Sequence, residues 1–109
     1  LEAGDMENAK AYLAKYENAE GAAGEIINAL VYTLRGDVAV EENDLQSAAD
    51  LFNKAIEASD DEFTYENNAR KLALVYGAMG DNDKVQEVYK NLIAKYPDLK
   101  MTYTKYLAE

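Results

Sequence analysis

Residues 80–97 read GDNDKVQEVYKNLIAKYP, and this stretch decides the fold. Its first four residues favour a turn and a helix start, because Gly accepts unusual backbone angles while Asp and Asn cap free backbone N–H groups. After the turn, apolar residues recur at the three- and four-residue spacing of one helix face. They are Val85, Val88, Tyr89, Leu92, Ile93 and Tyr96. Pro97 disfavours helical geometry in the residue before it, so the stretch predicts a turn, an amphipathic helix and a stop.

The same pattern of a turn and an amphipathic helix occurs twice earlier in the chain. The three turns begin at Gly4, Asn43 and Gly80, which gives spacings of 39 and 37 residues. The apolar positions of the two earlier helices are Ala9, Tyr12, Leu13 and Tyr16 in the first, and Ala48, Leu51, Phe52, Ala55 and Ile56 in the second. A period of this length predicts a stack of helical repeats.

Further helices are predicted between and after these turns. One covers residues 22–42, one covers residues 64–79 and a last piece covers residues 98–109. The apolar face assigned to the first of them consists of Ile27, Leu30, Val31, Leu34 and Val38. Strict alternation of apolar and polar residues is absent, so no strand is predicted. We therefore expect an all-α fold of about five antiparallel helices and a C-terminal capping helix.

Composition narrows the function. The 109-residue chain has no Cys and no His, which argues against the usual zinc sites, thiol chemistry and imidazole-based catalysis, and no metal, cofactor or catalytic residue is predicted. Its formal net charge is −10, so nucleic acid would be repelled. No stretch approaches the ~20 apolar residues of a membrane span, and no membrane contact is expected from this segment.

Acidic runs occur at residues 41–44, 60–62 and 81–83. They lack the spacing of a calcium-binding EF-hand loop, and they lie in turns where Asp caps helices and suits the helix dipole. Paired carboxylates could also serve a glycosidase, but here they fall on turns and solvated faces. Capping is the favoured interpretation, and an enzyme is not expected.

Residues 72–97 resemble a tetratricopeptide repeat. The matching positions are Leu72-Ala73, Tyr76, Gly80-Asp81, Tyr89 and Pro97 in this unit, and Tyr32, Gly36, Ala48, Phe52 and Ala55 in the preceding one. The preceding unit departs from the family pattern at Arg35, where Leu is usual, and at Ala39, where an aromatic is usual.

The resemblance implies a right-handed α-α superhelix forming one domain over residues 1–109. Residues 1–20 would be the second helix of an incomplete repeat, residues 22–59 and 62–97 the repeats, and residues 98–109 the cap. On this interpretation the chain is a piece of a longer protein. The expected function is a protein-interaction scaffold that binds a protein or peptide on its concave face, the alternative being a structural spacer or self-association module.

Family groove positions fall on six residues of this sequence: Thr33, Asp37, Val40, Arg70, Leu74 and Gly77. Gly77 lies inside a predicted helix, where Gly costs about 1 kcal/mol relative to Ala. Tight packing against a neighbouring helix or tolerance near a helix end is favoured over the approach of a ligand. Tyr12, Tyr76 and Tyr89 are expected in the core, while Tyr103 and Tyr106 could cover the end of the stack or seat a following element.

The C-terminal half also resembles repeat domains of membrane-anchored bacterial proteins. It is similar to periplasmic accessory subunits of the Sec translocon and to coordinators of cell division and Tol–Pal, through residues 54–64 and the ending Lys95-Tyr96-Pro97. This implies a periplasmic module tethered by an N-terminal anchor outside the segment, with a cytoplasmic location as the alternative.

Overall fold

The computed structural model describes residues 21–107 and consists of consecutively packed helices in that range. The four main helices are α1 (Gly21–Glu41), α2 (Leu45–Ala58), α3 (Glu62–Ala78) and α4 (Asn82–Lys95). No strand occurs among the described residues. The all-α prediction is confirmed. The helix predicted within residues 1–20 lies outside the described residues.

The C-terminal cap is shorter and more irregular than the helix predicted over residues 98–109. It consists of a 3-10 turn (Pro97–Leu99), the one-turn helix α5 (Lys100–Tyr103) and a second 3-10 turn (Thr104–Tyr106). At the end of α5 the Thr104 hydroxyl donates to the carbonyl oxygen of Lys100. Such side-chain bonds compete with the backbone ladder and help to end a helix.

The turns after α1 and α3 have the same backbone geometry. Asn43 and Gly80 adopt positive φ angles of 60° and 80°. The N–H of the next residue then donates five residues back, from Asp44 to the Ala39 oxygen at 2.8 Å and from Asp81 to the Tyr76 oxygen at 2.9 Å. This is the Schellman arrangement, which satisfies carbonyl groups at a helix C-terminus. The turns predicted at residues 43 and 80 therefore reverse the chain in the same way in both repeats.

Three Asp residues cap the helices that follow. Asp44, Asp61 and Asp81 each accept a hydrogen bond from the backbone N–H three residues later, at 3.2, 2.9 and 3.2 Å. The bond from the Thr64 N–H, followed by one from its hydroxyl, lowers the pKa of Asp61. The capping interpretation of the acidic turns is confirmed at these three positions.

Small residues allow the helices to approach closely. Ala48, Ala55 and Ala69 are buried, and Phe52 and Leu92 are among the largest fully buried side chains. The apolar face predicted for α1 is only partly correct, because its apolar residues are spread around the helix. Val31 and Val38 are buried, whereas Ile27, Leu30 and Leu34 remain exposed.

Gly36 provides the closest approach between α1 and α2. A Cβ atom at Gly36 would lie 2.5 Å from Cε1 of the Phe52 ring, a distance that real contacts do not show. Gly77 differs, because a Cβ atom there would meet only Cγ2 of Val85, at 4.0 Å. Tight packing therefore explains Gly36 and does not explain Gly77, which lies in the last turn of α3.

The two glycines form a matched pair for a stability test. Gly36→Ala would press a methyl group against a buried ring, and we expect the free energy of unfolding to fall by about 1–3 kcal/mol. Gly77→Ala would add a good helix former in open space, and we expect an increase of up to about 1 kcal/mol. Urea denaturation of both variants measures the difference. Equal effects of the two substitutions would contradict the assignment of Gly36 to the helix contact.

Candidate partner-binding groove

The first helices of the two repeats, α1 and α3, contact each other through a buried polar pair. The Thr33 hydroxyl lies 2.7 Å from Oδ1 of Asn68 and 2.8 Å from the Ala29 carbonyl oxygen, and its single proton can be donated to one of them at a time. The Asn68 amide donates to the Thr64 oxygen at 2.8 Å. Buried polar groups lose stability unless they are paired, so this contact fixes how α1 and α3 sit beside each other.

A groove of about 590 Å³ lies between α1 and α3. Its size is in the range of ligand-binding clefts. One wall is formed by α1, the other by α3, and α2 contributes part of the lining with Leu45 and the buried Phe52. The wall residues are Leu34, Asp37, Val38, Val40 and Glu41 on α1, and Lys71, Leu74, Val75 and Ala78 on α3. The surface is therefore mainly apolar, with three charged side chains.

An ion pair joins the two walls. The Lys71 ammonium lies 2.7 and 2.8 Å from the two carboxylate oxygens of Asp37. The same ammonium is 5.9 Å from the centre of the Phe52 ring, within reach of a cation–π interaction. Both charged side chains are about one third exposed, so the pair is open to solvent and to a competing charged ligand.

Three of the six groove residues predicted from the sequence line this groove: Asp37, Val40 and Leu74. Leu74 is 74% exposed, an unusual state for a leucine flanked by other apolar residues. Thr33 is only 5% exposed and belongs to the buried contact between the helices, where no partner could reach it. The structure thus brings together half of the predicted set.

Arg70 and Gly77 are exposed on α3 but do not line the groove. Arg70 lies near the tyrosines of the C-terminal cap, where its charge acts to lower the pKa of Tyr89 and Tyr103. Gly77 lies near the C-terminal end of α3, and its carbonyl accepts the Gly80 N–H at 3.1 Å as part of the Schellman turn. Its place near a helix end agrees with the tolerance expected there.

Leu34, Val38, Lys71 and Val75 line the groove but were not among the predicted site residues. Leu34 and Val38 had been assigned to the apolar face of α1. Lys71 carries a signal that could have been used, because it follows the oppositely charged Asp37 by 34 residues, close to one repeat. Opposite charges one repeat apart on the first helices are candidates for an ion pair across a groove.

Three tyrosines stack where the cap meets the second repeat. The Tyr89 ring centre lies 5.7 Å from that of Tyr103 and 5.0 Å from that of Tyr106. Tyr103 is buried, and its hydroxyl donates to Oε2 of Glu66 at 2.5 Å. Burial, together with this carboxylate, raises the pKa of Tyr103 to about 12. Tyr103 thus anchors the cap, while Tyr106 remains 47% exposed.

The raised pKa of Tyr103 predicts a loss of stability at high pH. Its stabilising effect is fully present below the unfolded value of about 10 and disappears as the pH rises through about 12. In Tyr103→Phe we expect this part of the decline to vanish. Glu66→Gln should lower the pKa of Tyr103 but leave it above the ordinary value, because burial is the larger cause. Phenolate absorbance and urea unfolding, each followed from pH 9 to pH 12, measure both effects; identical titrations of Tyr103→Phe and the unaltered protein would contradict the assignment.

The described residues were also searched for other kinds of site. Within residues 21–107, no group of three or more acidic side chains could hold a metal ion. No helix in this range is long and apolar enough to cross a bilayer.

Two comparisons with protein families agree on the repeats. One model described as Tetratricopeptide repeat matches residues 70–99, and a second model with the same description matches residues 29–62. Together they cover more than half of the chain and include both walls of the groove. Searches of curated proteins and of solved structures gave no significant match.

Proposed function

Because the chain belongs to the tetratricopeptide repeat family, whose repeats generally mediate protein–protein interactions, we propose that it binds a protein partner in the groove between α1 and α3. The family is typically non-catalytic. The observation that carries the proposal is the apolar groove itself, with Leu34, Val40 and Leu74 accessible above the buried Phe52. Covering these side chains would remove apolar surface from water, which favours association.

The groove suits a macromolecular ligand better than a reaction. It is open to solvent along its length and holds one ion pair, so it offers no enclosed site where a substrate could be held away from water. Apolar walls with a few charged groups are typical of surfaces that receive a side-chain row from another protein. The charged pair would give orientation and the apolar walls would give most of the binding free energy.

Site-specific crosslinking tests the proposal directly. A photoreactive residue placed at Leu74 in the parent protein should form adducts with another protein, whereas the same residue at Met101 should not, because Met101 is 95% exposed but lies on the cap. With the identified partner purified, Leu74→Ser should weaken binding about tenfold, corresponding to the loss of about 1.4 kcal/mol of apolar contact. Met101→Ser should leave the affinity unchanged.

Two results would count against the groove. Equal crosslinking at positions 74 and 101 would indicate general stickiness. Adducts at position 74 that contain only this chain would favour the self-association alternative, which sedimentation over a concentration series would then measure.

We further propose that the module works in a membrane-tethered assembly. Support comes from the similarity of the C-terminal half to repeat domains of Sec accessory and Tol–Pal coordinator proteins. The coding sequence upstream of Leu1 tests this: an apolar anchor of about 20 residues is expected. A further array of cytosolic repeats in its place would contradict the proposal and leave the groove assignment intact.

A further inference from the structure

The groove continues into an apolar stripe along α1. Ile26, Leu30 and Leu34 follow one another at four-residue spacing and are 46%, 54% and 37% exposed. Residues spaced in this way are neighbours on one helix face. Leu34 also lines the groove, so the stripe leads into it. The next positions on the same face are Asp37 and Glu41, and the stripe thus changes from apolar to acidic toward the C-terminus of α1.

The acidic end of this stripe coincides with two helix C-termini. Glu41 is the last residue of α1 and Ala78 is the last residue of α3, and both line the same groove. Neither helix has a basic residue in its last turn. The C-terminus of a helix carries partial negative charge. The charged side chains of the groove, two carboxylates and the Lys71 ammonium, add a net charge of −1. This end of the groove therefore attracts positive charge.

We propose that the groove receives an amphipathic helix of a partner, with its basic end at Glu41 and its apolar stripe on Ile26, Leu30 and Leu34; this rests on the proposed function. A helix fits better than an extended segment for a physical reason. The backbone groups of α1 and α3 are used within the helices, so an extended peptide would press unpaired N–H and C=O groups against leucines. A helix satisfies its own backbone and presents only side chains.

The charge distribution also sets direction and length. A helix N-terminus carries partial positive charge, so the bound helix runs antiparallel to α1 and α3, with Lys or Arg in its first turn. The face from Ile26 to Glu41 extends about 22 Å, which corresponds to about 15 residues of partner helix. A second copy of this chain is a poor occupant, because each copy has a net charge of −10.

Three labelled peptides of about 16 residues, all made of Leu, Ala and Lys, test the inference. The first has its leucines on one helix face and its lysines in the first turn. The second has the same composition with the lysines in the last turn, and the third is the first with two central prolines. Fluorescence anisotropy should show the first binding at least about tenfold tighter than either of the others. Equal binding of the first two would reduce the effect to general attraction of charge and overturn the proposed direction, and equal binding of the third would overturn the helix.

Protein variants then separate this inference from the proposed function. Leu30→Ser, outside the groove lining, and Leu74→Ser, within it, should each weaken the first peptide about tenfold, while Met101→Ser should not. If only Leu74→Ser has an effect, the groove stands and the extended helix site is wrong. If Leu74→Ser and Met101→Ser behave alike, the groove itself is wrong.

Discussion

The contact between Gly36 and Phe52 is the constraint on which the rest of the described structure depends. No side chain other than hydrogen fits at position 36, because the Phe52 ring occupies the space where a Cβ atom would lie. This brings α1 and α2 together and leaves the ring fully buried. The same ring reaches the groove between α1 and α3 and lies below the Lys71 ammonium. One contact inside the first repeat therefore also sets the depth of the surface shared by the two repeats.

The second repeat is joined to the first, and the cap to the second, by contacts with a common sequence separation. Asp37 pairs with Lys71 at a separation of 34 residues, Thr33 with Asn68 at 35, and Glu66 with Tyr103 at 37. Each contact links roughly equivalent positions of successive units, which is what the stacking of like elements produces. The cap follows the same spacing although only one turn of it is α-helical. Its buried Tyr103 fills the place that a following helix would contact.

The sequence predicts the helices and their turns well because these depend on local chemistry. The αL residues Asn43 and Gly80 and the Asp caps act within a few residues of their own position, and the structure has them as expected. The accessible surface is harder to predict. Thr33 was placed on the concave face but is buried, and Leu30 was placed on the buried face but is exposed. Apolar residues surround much of α1, so spacing alone cannot determine which of them face the next helix.

The groove stays open because its walls are held by other contacts. The buried pair of Thr33 and Asn68 requires a fixed geometry, and α1 and α3 each pack against α2, so the two walls cannot close over Leu34 and Leu74 without breaking bonds elsewhere. Exposed leucines in such a place cost stability in the free protein. In return, a partner meets a surface that is already formed, and little ordering is required of the groove on binding. An apolar surface kept open by a buried polar contact is therefore better explained by binding than by a spacer role, because a spacer gains nothing from leaving leucines in water.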